Sequence, residues 1–166
     1  MEPTTAPTSS RGFSLIELMV VVAIATILFS LAVPSFMAQI RQSRRTEAKT
    51  AVLDLAGREE RFFSTSGAGY SQTPGDLGYT ALGVVVGSGY YTLRVCTPAA
   101  AACGATAPPG TWVVPAAPSY LAVALPAAGQ SQVKDTQCVG FFVDSTGKQM
   151  AVDSSGADAT AACWSR

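Results

Sequence analysis

The stretch RGFSLIELMVVVAIATILFSLAVPSF, residues 11–36, decides how this chain is read. It opens an apolar run over residues 13–37 that is broken only by Glu17 and small hydroxyl side chains. About 25 residues suffice to cross a bilayer as a helix, and the run exceeds the roughly 7–15 apolar residues of a secretory signal. A carboxylate at the centre of a membrane helix costs about 2.5–3.5 kcal/mol, so a segment that served only as an anchor would gain by losing it. Glu17 therefore calls for a partner that offsets its charge.

The flanks and the composition set the compartment. MEPTTAPTSSRG before the run is short, polar and rich in Pro, Thr and Ser, as disordered segments are, and Arg11 is its one basic residue. Behind the run lie Arg41, Arg44, Arg45 and Lys49, and a plain charge count places that side in the cytoplasm. The four cysteines, Cys96, Cys103, Cys138 and Cys163, argue the opposite. With no CxxC spacing and no histidine to complete a zinc site, disulfides are their expected use, and disulfides need an oxidising space. The cysteines outweigh the charge count, because a head of this size translocates largely regardless of nearby charge. Of the three connectivities, we expect Cys138 with Cys163, closing a long C-terminal loop, and Cys96 with Cys103, pinching CTPAAAAC. The alternative is four reduced, buried cysteines.

Lys and Arg number 11, as do Asp and Glu, so zero formal net charge gives no broad attraction to nucleic acid or acidic lipid. The absence of histidine removes the usual general base at neutral pH. No Ser–His or Cys–His arrangement exists, no P-loop appears and the acids form no motif, so an enzyme is not expected and no cofactor is called for.

The quoted stretch resembles the N-terminal signature of type IV pilins and pseudopilins: a glycine, a phenylalanine, a glutamate four residues on and an apolar helix with an internal proline. The resemblance implies that a prepilin peptidase cuts between Gly12 and Phe13 and methylates the new amino group of Phe13. It implies that Glu17 neutralises the charged N-terminus of a neighbouring subunit inside a filament, where unpaired charge is strongly disfavoured. The alternative is an acid that snorkels to the membrane interface. The implied partners are other pilin subunits, an inner-membrane assembly platform and, before assembly, membrane lipid; nucleic acid is left open. The implied location is the bacterial inner membrane with the head outside the cytoplasm, then an extracellular pilus serving adhesion, twitching motility or DNA uptake. LGY, GYYTL and CVGFFVDSTGKQ look most like a minor pilin, with a DNA- or surface-binding pilin and a secretion pseudopilin as the other readings.

Pro34 removes a backbone bond and crowds the carbonyl of Ser30, a kink that the family resemblance connects with packing in the filament. The helical pattern then resumes, with Ile40, Ala48, Val52, Leu55 and Phe62 on one apolar face and charges opposite. Arg41, Arg44, Arg45 and Lys49, followed by Glu47, Asp54, Glu59 and Glu60, are expected to form a solvated, subunit-bridging face with pairs such as Arg58 and Asp54. The Gly-rich segments GAGYSQTPGDLGY and LGVVVGSG read as a long loop. YYTLRV, WVV, SYLAVAL, CVGFFVD and KQMAV read as strands, with DSTG as a hairpin turn. The expected fold is α+β: a leader over 1–12, a long helix over 13–64, a connecting loop over 65–89 and an antiparallel sheet head over 90–166. By resemblance the C-terminal loop is closed by a cysteine pair. Asp153 and Asp158 raise calcium, but their spacing fails the EF-hand pattern and a solvated turn is the expectation, so no metal site is assigned.

Overall fold

The computed structural model describes residues 12–67, 69–80, 85–86, 88–96, 107–110, 113 and 115–165. The chain divides into two units, Met1–Gln39 and Ile40–Arg166. Helix α1 (Leu15–Ser66) supplies residues to both. Its bounds lie two residues later at each end than the sequence suggests. Ser14 is the cap rather than part of the first turn, its Oγ accepting the Glu17 N–H at 3.2 Å. At the other end Gly67 takes φ +62°, and its N–H reaches the Phe63 carbonyl at 3.2 Å, closing the helix in the left-handed region.

In the first unit the large apolar side chains, Phe13, Ile16, Val20, Ile27, Phe29 and Leu31 among them, are all exposed. Two of the hydroxyl residues that interrupt the run, Thr26 and Ser30, are satisfied locally. Thr26 Oγ1 donates to the Val22 carbonyl and Ser30 Oγ to the Ile27 carbonyl, each at 2.7 Å. The helix continues through Pro34.

In the second unit α1 covers one face of an antiparallel meander of β1 (Val85–Val86), β2 (Tyr91–Cys96), β3 (Leu121–Pro126), β4 (Gly140–Asp144) and β5 (Gln149–Val152). Register pairs such as Leu93 with Ala124, Val123 with Phe142 and Phe141 with Ala151 set the inward sides. Ala48, Val52, Leu55 and Ala56 pack on Tyr91, Leu93, Ala122, Ala124, Phe141 and Val143. Strand alternation sends Leu121, Val123, Phe142, Met150 and Val152 to a second buried cluster on the opposite face. That is why LAVAL and GFFVD read as continuous apolar runs rather than alternating ones.

The DSTG turn forms as read: Asp144 accepts the Thr146 and Lys148 N–H groups at 2.9 and 3.0 Å. The C-terminal segment covers the outer edge of β5, with the Ala159 N–H on the Ala151 carbonyl and the Ala151 N–H on Thr160 Oγ1. Helix α2 (Thr160–Trp164) follows, and Cys163 is bonded to Cys138 across 25 residues. Cys96 is also disulfide-bonded, but the expected partner Cys103 lies outside the described residues.

The connecting segment expected over 65–89 holds a 3-10 turn at Pro74–Leu77 and the short strand β1, which pairs with β2. One expectation needs correction. WVV supplies no strand at Val113, which is exposed, while Trp112 and Val114 lie outside the described residues.

Candidate functional site

At the N-terminal end the geometry is local. Gly12, Phe13 and Ser14 precede the helix, all exposed, and Glu17 stands in its first turn. Ser14-Leu15-Ile16-Glu17 has the S-x-x-E spacing of a capping box, a signal that the sequence reading passed over, and the structure forms its Ser14 half. Glu17 is thus placed near the positive end of the helix dipole within an exposed apolar surface.

Two of the basic residues behind the apolar run, Arg44 and Arg45, are tied to the head rather than left to solvent. Arg45 Nε donates to Asp135 Oδ2 at 2.6 Å and its Nη2 to Asp135 Oδ1 at 2.7 Å, a bidentate pair with an acid that is 2% exposed. Buried Gln132 adds a third contact, donating to Asp135 Oδ2 at 3.0 Å. Arg44 lies 3.5 Å over the Tyr90 ring and donates to Ser131 Oγ at 2.8 Å. Glu47 accepts the N–H and hydroxyl of Ser88. These side chains therefore dock the helix on the head. The sequence could not announce this, because their partners stand 41 to 90 positions away.

Further along α1 the expected Arg58–Asp54 pair forms at 2.7 Å. Arg58 also donates to the Leu77 carbonyl at 3.0 Å, and Tyr79 donates to Asp54 at 2.9 Å. Partial burial works against ionisation of Asp54, but the bonds from Arg58 and Tyr79 hold its carboxyl below the usual range. Gly78 stands at φ +74°, where an added Cβ would lie 2.9 Å from Arg58 Nη1. Glu59 departs most from its expected place on the charged face: it is fully buried, and burial pushes its carboxyl up to about 7.

The remaining candidates are spent within the chain. Asp153 accepts from the backbone of Ser155 and Ala157, and Asp158 from Thr160. Trp164 Nε1 donates to the Met150 carbonyl, and its ring meets Phe141 edge-on. Among the described residues no three His, Cys, Asp or Glu side chains come together as a metal site. Arg61, Arg94, Lys134 and Lys148 are exposed cations of the head.

Residues 34–142 match the family model described as "Type IV minor pilin ComP, DNA uptake sequence receptor". Residues 7–33, a span that takes in Gly12, Phe13 and Glu17, match the "Prokaryotic N-terminal methylation motif". Over 70 residues the chain is 41% identical to the "Type IV major pilin protein PilA" of Myxococcus xanthus (strain DK1622). That alignment covers 42% of this chain and 31% of the relative.

Proposed function

The chain belongs to the type IV minor pilin family, and on that premise we propose that it is a non-enzymatic structural subunit of a type IV pilus. The observation that carries this reading is the exposed apolar surface of residues 13–37 with its lone carboxylate at Glu17, a surface too apolar to remain in water. Prepilin peptidase cuts between Gly12 and Phe13 and methylates Phe13. The cut creates an ammonium next to the start of α1, where the helix dipole already disfavours positive charge. Glu17 of a neighbouring subunit neutralises that ammonium when both enter the filament. Before assembly the apolar run sits in the inner membrane, with the head outside the cytoplasm where the Cys138–Cys163 disulfide persists. Pro34 gives the run a place to loosen during packing. The partners are other pilin subunits, the peptidase and an inner-membrane assembly platform.

Mass spectrometry of the mature chain tests the processing step: a methylated Phe13 terminus is expected, and an intact leader refutes it. Immunogold labelling of sheared surface fibres tests incorporation, and unlabelled fibres in cells that express the protein would overturn the subunit reading.

A second reading, a head that captures DNA, is favoured by the family description over residues 34–142. Arg44, Arg45 and Arg58 are engaged within the chain, so Arg61, Arg94, Lys134 and Lys148 are the cations this reading would use. Duplex binding by the full chain in detergent should fall steeply between about 50 and about 200 mM salt. Absent or salt-independent binding refutes the DNA reading and leaves the subunit reading intact.

A further inference from the structure

Glu59 has an arrangement that a structural carboxylate rarely keeps. Its side chain is fully buried, Oε2 accepts the Ser71 N–H at 3.0 Å, and among the described residues Oε1 has no hydrogen-bond partner. One N–H does not replace the water that an ionised carboxylate loses on burial. The groups that act on it are of the wrong sign to help. Glu60 on the same helix is itself the acceptor of the Tyr70 hydroxyl, and Asp76 on the loop accepts Ser71 Oγ at 2.6 Å. Tyr70 of the loop and Tyr120 ahead of β3 complete the surroundings. Among the described residues no cation compensates Glu59, and the adjacent Arg58 donates to Asp54 and the Leu77 carbonyl instead.

The loop that Glu59 holds has two differently anchored parts. Residues 77–79 are tied by the Arg58 bond to Leu77, the Tyr79 bond to Asp54 and the Tyr79 N–H to the Pro74 carbonyl. Residues 71–73 depend on the Glu59–Ser71 bond and, through Ser71 Oγ, on the Thr73 N–H, whereas Tyr70 has its own ties to α1, its hydroxyl donating to Glu60 and its ring stacking on Phe63. The entry to the loop carries Gly69 at φ +105°, a backbone conformation open to glycine and costly to other residues.

We propose that Glu59 is a proton-dependent latch: neutral Glu59 seats residues 71–73 against α1, and ionised Glu59 releases them while Tyr70 and residues 77–79 stay anchored. Neutral Glu59 keeps Oε2 as an acceptor for Ser71 and removes the charge beside Glu60 and Asp76. Once the proton leaves, the carboxylate recovers solvation only if water reaches Oε1, and residues 71–73, whose described tie to α1 is the Glu59–Ser71 bond, are what yields. The consequence is a surface segment whose mobility follows the external pH.

The test is amide exchange by NMR on the full chain in detergent micelles, at pH 5.5 and 8.5, for the wild type and Glu59→Gln. Protection of the Ser71 amide, corrected for intrinsic exchange, should fall about tenfold or more in the wild type. It should stay level in Glu59→Gln, and Tyr79 should stay level in both. A level Ser71 in the wild type, an equal fall in Glu59→Gln, or a parallel fall at Tyr79 would each overturn the latch. Should Glu59→Gln not fold, the carboxyl carbon of Glu59 in the wild type decides: a titration midpoint above about 6 supports the latch and one near the ordinary value of about 4.3 overturns it.

Discussion

Arg45 and Asp135 stand 90 positions apart and meet in a pair of which the acid is 2% and the base 15% exposed. Such a pair is worth little more than an apolar pair of the same shape, but breaking it strands a charge. Asp135→Ala leaves Arg45 without its carboxylate and Gln132 with only the Arg41 carbonyl at 3.5 Å as acceptor, and should destabilise the head by about 3 kcal/mol, while Arg45→Met with Asp135→Leu together should cost much less. Urea unfolding of the full chain in detergent measures both; equal losses would show that packing and not charge sets the cost. Glu59 makes the opposite kind of prediction. Its carboxyl sits at about 7 in the folded chain against an ordinary value of 4.5. The folded state therefore binds the extra proton, so this group's contribution is complete below about pH 4.5, declines as pH rises through 7 and is level above. Glu59→Gln should thus match the wild type near pH 4 and gain on it as pH rises, by at most about 3 kcal/mol at pH 8. A wild-type disadvantage that shrinks with rising pH would contradict the assignment.

At the scale of elements, the Cys138–Cys163 bond closes a 25-residue separation that holds β4, β5 and the start of α2. Replacing both cysteines by serine should cost about 3 kcal/mol and free α2 first, because its other ties are the Trp164 bond to Met150 and the β5 edge. Near-UV dichroism from Trp164 should weaken before the far-UV signal changes; coincident loss would mean that α2 and the sheet unfold as one. The elements differ in how far the sequence discloses them. The long helix is legible because its apolar face repeats every three to four residues, and the DSTG hairpin because Asp144 and Gly147 carry the turn by themselves. Strand β1 is not, since two residues make no periodicity and Val85 and Val86 become a strand only beside Thr92 and Tyr91. The docking of Arg44 and Arg45 is hidden for the same reason, in that helical spacing reveals neighbours three or four residues away and their partners are far along the chain. Glu59 is hidden by its company, since a glutamate between Arg58 and Glu60 reads as surface until the loop that covers it is seen.

For the molecule as a whole, the N-terminal unit and the head make different demands on one chain. Apart from Glu59, the head engages its acids internally, through Arg45, Arg58, the Ser88 amide and the turns of Asp144 and Asp153. Glu17 is the acid of the exposed apolar surface, and two roles are open to it: finishing the capping box begun by Ser14, or supplying negative charge to another subunit. Gln at the third helical position serves a capping box nearly as well as Glu but carries no charge, so Glu17→Gln and Glu17→Ala together separate the roles. Both variants should reach the membrane at least as well as the wild type, since each removes a charge that costs about 2.5–3.5 kcal/mol within the bilayer. Both should still show methylated Phe13 by mass spectrometry, which keeps a processing defect from being mistaken for an assembly defect. If the charge is what assembly uses, both should accumulate in the membrane and be absent from sheared fibres. If capping is what matters, Glu17→Gln should enter fibres while Glu17→Ala does not, and the ammonium of Phe13 would then need another partner.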